Sequence, residues 1–116
     1  VNLHGTATPQ NDAMEALAVR QVFGAHQPWL SSTKHHTGHC LGAAGAIEAA
    51  IACAVLEDAA AWLPWQQGFA ATDSAFADLR FVRPDSEFTG RIQRIMSNSF
   101  AFAGSNASLI FESKHA

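Results

Sequence analysis

Charged residues and cysteine are scarce in this sequence, and long hydrophobic runs are missing altogether. Its two cysteines, Cys40 and Cys53, cannot form a disulfide framework, so we expect a reducing compartment and a cytoplasmic location. No run of about 18 apolar residues occurs, which excludes a membrane-spanning helix. No positively charged leader precedes an apolar stretch, so the sequence contains no visible secretory signal.

The composition indicates a globular protein. Of the 116 residues, 48% are hydrophobic and 15% are charged, a mixture that can bury a core and is not typical of disorder. The net charge is −3 and no basic run occurs, which argues against a nucleic-acid-binding surface. The length suits one domain or part of one, and the chain opens on Val1, an apolar residue typical of a strand interior. We therefore expect residues 1–116 to form one domain that is incomplete at its N-terminus.

Strand-like and helix-like patterns alternate along the chain, which favours the α/β class. Thr8 and Pro9 make a typical helix start and Gly24 a typical stop, so a helix is predicted over Pro9–Phe23. The other predictions are strands over 1–4, 28–33, 91–96 and 107–111, a linking segment over 59–77 with a short strand at 61–63, an extended stretch over 81–84, and turns over 34–40, 85–86 and 98–106.

The first candidate functional residue is His4. It follows the first predicted strand, and ligands in α/β folds bind at the carboxyl ends of strands. Gly5 lets the backbone turn there and approach a ligand closely. The alternative is a turn histidine whose ring only bonds to its own loop.

The second candidate site lies around a helix predicted over 41–56. This helix is apolar nearly all round, so we expect it to be buried on every side. Glu48 interrupts the apolar surface, and a buried carboxylate needs a cation or hydrogen-bond donors. Lys34 and His39, in the preceding turn, are the nearest partners, and together with Glu48 they would make an acid/base cluster. The alternative is a structural salt bridge.

Two further constellations are weaker. His35, His36, His39 and Cys40 are all possible metal ligands, but Gly38 argues against a helix that would align them, and no second ligand cluster with zinc-site spacing occurs. Cys40 beside His39 could form a Cys/His pair, but adjacent residues seldom face each other, and the other cysteine lies within the apolar helix. We expect neither a metal site nor a nucleophile in this chain.

Small residues alternate with Phe100 and Phe102 in the segment 98–106, between two predicted strands. Such a loop can present backbone N–H groups to a developing oxyanion and can move an aromatic side chain across the mouth of a pocket. The alternative is a tight turn with both phenylalanines in the core.

Taken in their order along the chain, the segments described above resemble the C-terminal part of β-ketoacyl-acyl-carrier-protein synthases. These are the bacterial type I/II condensing enzymes of thiolase-like fold. The likeness covers nearly the whole chain and is weakest over 58–90. It implies an α/β architecture with a mixed sheet and a buried Ala/Gly-rich helix. The matching segments are Asn-Leu-His-Gly-Thr-Ala-Thr over 2–8, Ser-Thr-Lys over 32–34, Gly-His over 38–39, Gly-Ala-Ala-Gly over 42–45, and the run 98–111.

The resemblance implies a decarboxylative Claisen condensation in fatty-acid or polyketide-type synthesis. An acyl group held as a cysteine thioester is extended by malonyl on acyl carrier protein, after loss of carbon dioxide. The implied partners are acyl carrier protein and a second copy of the enzyme in a homodimer, and no cofactor is implied.

The resemblance also assigns roles to residues. His4 and His39 become the active-site histidines that donate hydrogen bonds to the malonyl thioester oxygen. Lys34 orders the site and supports His39, and Glu48 matches the helix carboxylate of the family. Phe102 matches the gating phenylalanine, whose backbone N–H helps form an oxyanion hole. The remaining implied residues are supporting or gating positions: Thr6, Thr8, Phe100 and Gly104.

The chain departs from the family pattern in two ways. Its loop has Ala101 and Ala103 where the family usually reads Phe-Gly-Phe-Gly-Gly, and alanine tolerates positive φ poorly, so we expect a stiffer or tilted loop. Ala101 also resembles the condensing enzymes of aryl-polyene pigment clusters. The family's nucleophilic cysteine lies in the N-terminal half and neither cysteine here matches it, so we expect this chain alone to be inactive.

The alternative to a condensing enzyme is a non-catalytic, chain-length-setting partner subunit. Retention of His4, Lys34 and His39 argues against it, because a silent subunit has no chemical need for all three.

Overall fold

The first residues of the chain lie between two other extended segments and organise the fold. In the computed structural model, which describes residues 1–58, 63–66 and 71–114, Asn2 forms parallel bridges with Ser31 on one side and Ser97 on the other. The Asn2 N–H donates to the Met96 carbonyl at 2.8 Å, and the Leu3 N–H donates to the Ser31 carbonyl at 2.7 Å. The segments predicted as strands at 1–4 and 28–33 thus form isolated bridges rather than strands, so these predictions were wrong in part.

An antiparallel hairpin extends this pairing at one side. Strand β1 (Arg94–Phe100) pairs with strand β2 (Asn106–Glu112), from Arg94 opposite Glu112 to Phe100 opposite Asn106. On the other side, Leu30 forms a parallel bridge with Phe81. The chain therefore combines helices with a small antiparallel sheet, in agreement with the expected α/β class.

Helix α1 (Pro9–Phe23) has the bounds predicted from its capping residues. The Thr8 hydroxyl accepts a hydrogen bond from the Asn11 N–H at 3.4 Å, and Pro9 takes the first helical position, where its missing N–H has no consequence. Gly24 ends the helix at φ 52° and donates its N–H to the Arg20 carbonyl. Within the described residues, no helix has the length and apolarity needed to cross a lipid bilayer.

Two hydrophobic clusters hold these elements together. Ala16 and Val19 of α1 pack with Leu30 and Leu79, while helix α3 (Ala44–Glu57) forms the second cluster. Leu30 and Val55 are the largest fully buried side chains of the described residues. The members of the second cluster are Val55, Leu56 and Ile92, with Ile95 of β1 and Phe111 of β2 among the side chains packed against them.

The turn predicted over 34–40 contains a single helical turn, α2 (Lys34–Thr37), so that prediction was wrong in part. Gly38 closes the turn at φ 71° by donating its N–H to the Lys34 carbonyl at 2.8 Å. One turn of polar residues has no apolar periodicity, so the sequence pattern could not distinguish it from a loop. The helix ends at Thr37, so His35 and His39 do not share one of its faces.

The helix predicted over 41–56 differs in its start and in its burial. Residues Leu41–Ala43 form a 3₁₀ turn, with Leu41 in the left-handed region at φ 48°, and α3 begins only at Ala44. The expectation of burial on every side was wrong, because the sheet of the described chain covers only one stripe of α3. The exposed positions of α3 are Ala46, Ala50, Cys53, Ala54 and Glu57.

The strand predicted over 91–96 and the turn predicted over 98–106 were misplaced, because β1 runs from Arg94 to Phe100. Polar residues at 97–99 look like a turn, but Ser97 and Asn98 are buried and hydrogen-bonded. Ser97 accepts from the Asn2 amide at 3.1 Å, and Asn98 accepts from the Ser108 hydroxyl at 2.7 Å. The predicted turn at 85–86 and the closing strand are present. The strand predicted at 61–63 falls mostly outside the described residues.

The packing makes a first prediction about stability. Leu30→Ala removes a side chain that is 0% exposed, and we expect a loss of about 2–5 kcal/mol in the free energy of unfolding, because a cavity replaces the lost contacts. Val22→Ala, at a residue that is 73% exposed on α1, is the matched control and should have little effect. Urea unfolding followed by circular dichroism measures both, and equal losses would contradict the position of Leu30 in the core.

Candidate active site

His4 lies where the first extended segment turns toward α1. Its side chain is buried, with 7% exposed. Gly5 makes the turn at φ 47°, and a Cβ at this position would lie 2.7 Å from the Ser32 side chain, so only glycine fits. The turn therefore holds His4 against the segment that precedes α2.

Glu15 fixes this turn, and the sequence analysis did not identify it. Its carboxylate accepts hydrogen bonds from the His4 N–H at 2.9 Å, the Gly5 N–H at 3.0 Å and the Asn98 amide at 3.1 Å. Glu15 is 3% exposed and lies one helical turn before the buried Val19 on the same face of α1. That position, a carboxylate in line with a core residue, was the available signal.

Lys34 and Glu48 form the buried ion pair that the sequence predicted. The Lys34 ammonium contacts a Glu48 carboxylate oxygen, and their side chains are 7% and 2% exposed. Helix α2 supplies the lysine and α3 the carboxylate. In a site from which water is excluded, each charge stabilises the other, and removing one leaves the other uncompensated.

His39 follows Gly38 and is exposed at the surface. Its Nδ1 accepts a hydrogen bond from the Leu41 N–H at 3.2 Å. An Nδ1 that accepts is unprotonated, so a neutral His39 ring carries its proton on Nε2. The left-handed backbone of Leu41 thus leaves Nε2 as the hydrogen-bond donor of a neutral His39 ring.

The rings of His4 and His39 meet at the end of β1. Their centroids are 5.4 Å apart with the planes at 86°, and the Phe100 ring is 5.7 Å from that of His4. A cavity of about 560 Å³ lies beneath α1, lined in part by Leu3 and Leu30, and the two imidazoles lie outside its wall. The pair thus joins a buried His4 to an exposed His39, beside a half-buried phenylalanine.

Burial lowers the pKa of His4 below its ordinary value of 6.5, and the Lys34 ammonium lowers that pKa further. The Glu15 and Glu48 carboxylates raise the pKa of His4 and His39 lowers it, each with a smaller effect than burial or Lys34. The Nδ1 of His4 is buried with no hydrogen-bond partner among the described residues, so a proton there would lack an acceptor. His4 is therefore neutral at pH 7 and can donate one N–H.

The segment that carries Phe102 connects β1 to β2. Phe102 is 93% exposed, so the alternative that places it in the core was wrong. Ala101 is extended at φ −131°, whereas Ala103 lies at φ 59° and Gly104 at φ 79°. Of the two alanines in place of glycine, only Ala103 is therefore strained.

Strained backbone is concentrated around this site. Among the described residues, the non-glycine residues with positive φ are Ala7, Leu41 and Ala103, and they follow His4, His39 and Phe102 within three positions. Strain of this kind persists where surrounding structure holds it, and it is frequent at functional sites.

The other predicted residues lie around the pair rather than in it. The Thr6 and Thr8 hydroxyls are 3.1 Å apart, at the start of α1. Cys40 and Cys53 are free thiols, and the Cys40 Sγ donates to the Thr37 carbonyl at 3.3 Å. Within the residues that the structure describes, no three His, Cys, Asp or Glu side chains form a group that could hold a metal ion.

Two imidazoles that converge in this way can offer N–H donors to an oxygen that gains negative charge. Donors positioned in advance stabilise such an oxygen without reorganisation. The same chemistry is not available to a turn histidine that bonds only to its own loop.

Comparison with known proteins gives consistent matches. Residues 1–64 match the family described as beta-ketoacyl synthase, C-terminal domain. The chain is 42% identical over 112 residues to 3-oxoacyl-acyl-carrier-protein synthase 1 of Haemophilus influenzae, covering 97% of this chain and 27% of that protein. The protein of the same name from Escherichia coli K12 is 41% identical over 111 residues, with 95% and 26% covered.

Nodulation protein E of Rhizobium leguminosarum bv. trifolii is 44% identical over 115 residues, covering 96% of this chain and 27% of that protein. The chain therefore spans about a quarter of the length of the curated relatives it matches.

The ion pair generates a prediction about stability. Glu48→Ala should reduce the free energy of unfolding by about 3–5 kcal/mol, because it leaves the Lys34 ammonium buried without a counter-charge. Glu57→Ala, at an exposed position of the same helix, is the control. Denaturant unfolding of both variants is the measurement, and a near-neutral Glu48→Ala would mean that this carboxylate is solvated.

The lowered pKa of His4 makes stability depend on pH. Because the unfolded chain takes up this proton at a higher pH than the folded one, the stabilisation is fully present above pH 6.5 and is lost as the pH falls through the folded pKa. We expect His4→Gln to lose less stability than the parent protein between pH 7.5 and pH 5. Urea midpoints at several pH values test this, and parallel curves would contradict it.

Proposed function

This chain belongs to the β-ketoacyl synthase family, and from that membership we propose that residues 1–116 form the C-terminal part of a condensing enzyme of thiolase-like fold. The enzyme would be an acyltransferase, a 3-oxoacyl-acyl-carrier-protein synthase. In this proposal the bridged segments and the hairpin are parts of one mixed sheet, and α3 packs on that sheet through its Glu48 face.

The proposed reaction joins two carbon chains. The malonyl group breaks its bond to the carboxylate and releases carbon dioxide, and the electron pair moves onto the thioester oxygen as an enolate. The enolate carbon then attacks the acyl thioester on a cysteine, forms the new carbon–carbon bond and expels the cysteine thiolate. That cysteine would belong to a part of the protein other than this chain.

The convergence of His4 and His39 supports this chemistry most directly. Their rings are 5.4 Å apart, burial favours the neutral form of His4, which has one N–H, and the acceptor role of Nδ1 leaves Nε2 of His39 as a donor. We assign both donors to the malonyl thioester oxygen, where they stabilise the enolate.

The other residues have positioning roles in the proposal. Lys34, held by Glu48, orders the site and supports His39, and its charge adds to burial in lowering the pKa of His4. The backbone N–H of Phe102 contributes to an oxyanion hole, and its side chain gates access to the site. Four further residues have supporting or gating positions in the proposal, at the start of α1 and in the loop: Thr6, Thr8, Phe100 and Gly104.

The proposed partners follow from the substrates. Acyl carrier protein delivers the malonyl group, a partner that the names of the relatives also contain. His39 is exposed in the described chain, and the rest of the polypeptide would enclose it. We further propose a homodimer and a cytoplasmic location for the whole enzyme.

The deciding experiment replaces His39 in the full-length protein. His39→Ala should lower the rate of condensation about 10²–10³-fold, the effect of removing one oxyanion donor, while the cysteine still becomes acylated. His36→Ala, at an exposed residue of α2, is the control and should keep full activity. Product formation from malonyl-acyl carrier protein and mass spectrometry of the acyl-enzyme measure the two steps.

Normal condensation by His39→Ala would remove this residue from the mechanism. Absence of both acylation and condensation in the unaltered full-length protein would favour the non-catalytic partner subunit instead.

A further inference from the structure

The buried amide of Asn98 links the hairpin to the turn that carries His4. Asn98 lies on β1 and is 4% exposed. Its Nδ2 donates to Oε1 of Glu15 at 3.1 Å, and the same oxygen accepts the backbone N–H of His4 at 2.9 Å. The Asn98 amide and the His4 backbone therefore meet at one carboxylate oxygen.

Hydrogen-bond chemistry fixes the direction of this amide. A carboxylate only accepts hydrogen bonds, so the NH₂ group of Asn98 has to face Glu15. The amide oxygen Oδ1 then faces β2, where the Ser108 hydroxyl donates to it at 2.7 Å. Asn98 and Ser108 are directly opposite each other in the hairpin. A donor on β2 thus sets the direction of an amide on β1, because the reversed amide would bring its oxygen against the Glu15 carboxylate.

The backbone around His4 is held on both sides of this residue. Two residues before it, the Asn2 carbonyl accepts the backbone N–H of Asn98 at 3.0 Å. Directly after it, the Gly5 N–H donates to the second oxygen of Glu15 at 3.0 Å. Glu15 and Asn98 are both nearly fully buried within this chain, and any further polypeptide packed around it can only bury them more.

We propose that Asn98 is a positioning residue for the reaction and that Ser108 sets the direction of its amide. Ser108 orients Asn98, and Asn98 orients the Glu15 carboxylate. The carboxylate in turn fixes the backbone from which the His4 ring extends toward His39. Asn98 acts through Glu15 and not on the substrate.

The consequence for catalysis rests on the proposed function, in which His4 donates to the malonyl thioester oxygen. A group that stabilises a transition state has to be placed accurately, and an error of about 1 Å can lower a rate about 10²-fold. Acylation of the cysteine does not use this donor in the proposal. Breaking the link from Ser108 to Glu15 should therefore lower kcat for condensation, with acylation and the KM for malonyl-acyl carrier protein unchanged.

Asn98→Asp in the full-length protein tests the need for a donor, because it keeps the shape of the side chain and replaces NH₂ with an acceptor. One of two adjacent buried carboxyls keeps its proton to a higher pH than usual. With that proton the introduced carboxyl donates to Glu15 as the amide does, and without it the two repel. Condensation relative to the unaltered protein should therefore rise about tenfold between about pH 8 and pH 6. The neighbouring charged and titratable groups are present in both proteins, so the ratio cancels their titration: His4, Lys34 and Glu48.

Ser108→Thr and Ser108→Val form a matched pair that decides the question even where Asn98→Asp does not fold. The two side chains have nearly the same shape, and only threonine keeps the hydroxyl. Ser108→Thr should retain condensation, whereas Ser108→Val should lower kcat about tenfold, the scale of one lost hydrogen bond. Product formation from malonyl-acyl carrier protein and mass spectrometry of the acyl-enzyme measure the two steps.

Three results would overturn the inference. The first is a condensation ratio for folded Asn98→Asp that does not change with pH, and the second is equal condensation by Ser108→Thr and Ser108→Val. The third is a loss of acylation that parallels the loss of condensation in the folded variants, since a merely structural role lowers both.

Hydrogen exchange at the His4 and Gly5 N–H groups, followed by mass spectrometry, gives a readout that needs no activity. Exchange should be faster in Ser108→Val than in Ser108→Thr, because the Glu15 carboxylate holds both groups. If only the inference fails, His39→Ala still loses condensation but the two Ser108 variants agree in rate and in exchange. If only the proposed function fails, exchange differs between the two variants but no protein in the series condenses malonyl-acyl carrier protein.

Discussion

The carboxylate of Glu15 is the contact on which the arrangement of the site depends. It accepts from the backbone N–H groups of His4 and Gly5 and from the Asn98 side chain, so it joins α1, the turn and β1 at one point. All three donors are in the interior or at its edge, where an unpaired N–H is costly. A carboxylate has enough acceptor positions for three donors, and a neutral apolar residue in its place would leave all of them unsatisfied.

The backbone of the site is strained at three positions, and the surrounding structure holds each of them in place. Ala7, Leu41 and Ala103 each have positive φ without being glycine, and each follows a residue assigned to the site. At Leu41 the purpose is visible, because its N–H bonds to Nδ1 of His39 and leaves Nε2 as the donor. The strain is tolerable because the hydrophobic clusters and hairpin pairing fix the flanking segments.

Electrostatics then determine what the imidazoles can do. The Lys34–Glu48 pair is almost completely buried, and its cost in desolvation is repaid only by close contact between the partners. Burial and then the charge of the lysine lower the pKa of His4, so one member of the pair acts on the ring without a hydrogen bond to it. A structural salt bridge and a catalytic support are therefore not exclusive interpretations of Glu48, because the contact that stabilises the fold also tunes the histidine.

Local chemistry in the sequence was sufficient for some features. Thr8, Pro9 and Gly24 define the ends of α1, since capping depends on residues next to the helix. The need of a buried carboxylate for a cation or a donor pointed to Lys34 and His39 as the candidate partners of Glu48, and the structure shows that Lys34 is the one in contact. The closing strand was predicted over 107–111, where Leu109, Ile110 and Phe111 follow one another, and β2 spans Asn106–Glu112.

Tertiary structure alone decided the rest. Polar residues 97–99 look like a turn until Asn2 and Ser108 supply their hydrogen bonds and make them strand. Glu15 looks like a surface residue of α1 until the turn at Gly5 brings two N–H groups to it. Capping and periodicity act between neighbours in the chain, whereas these hydrogen bonds join residues far apart in sequence, and no local pattern records a partner that only folding brings near.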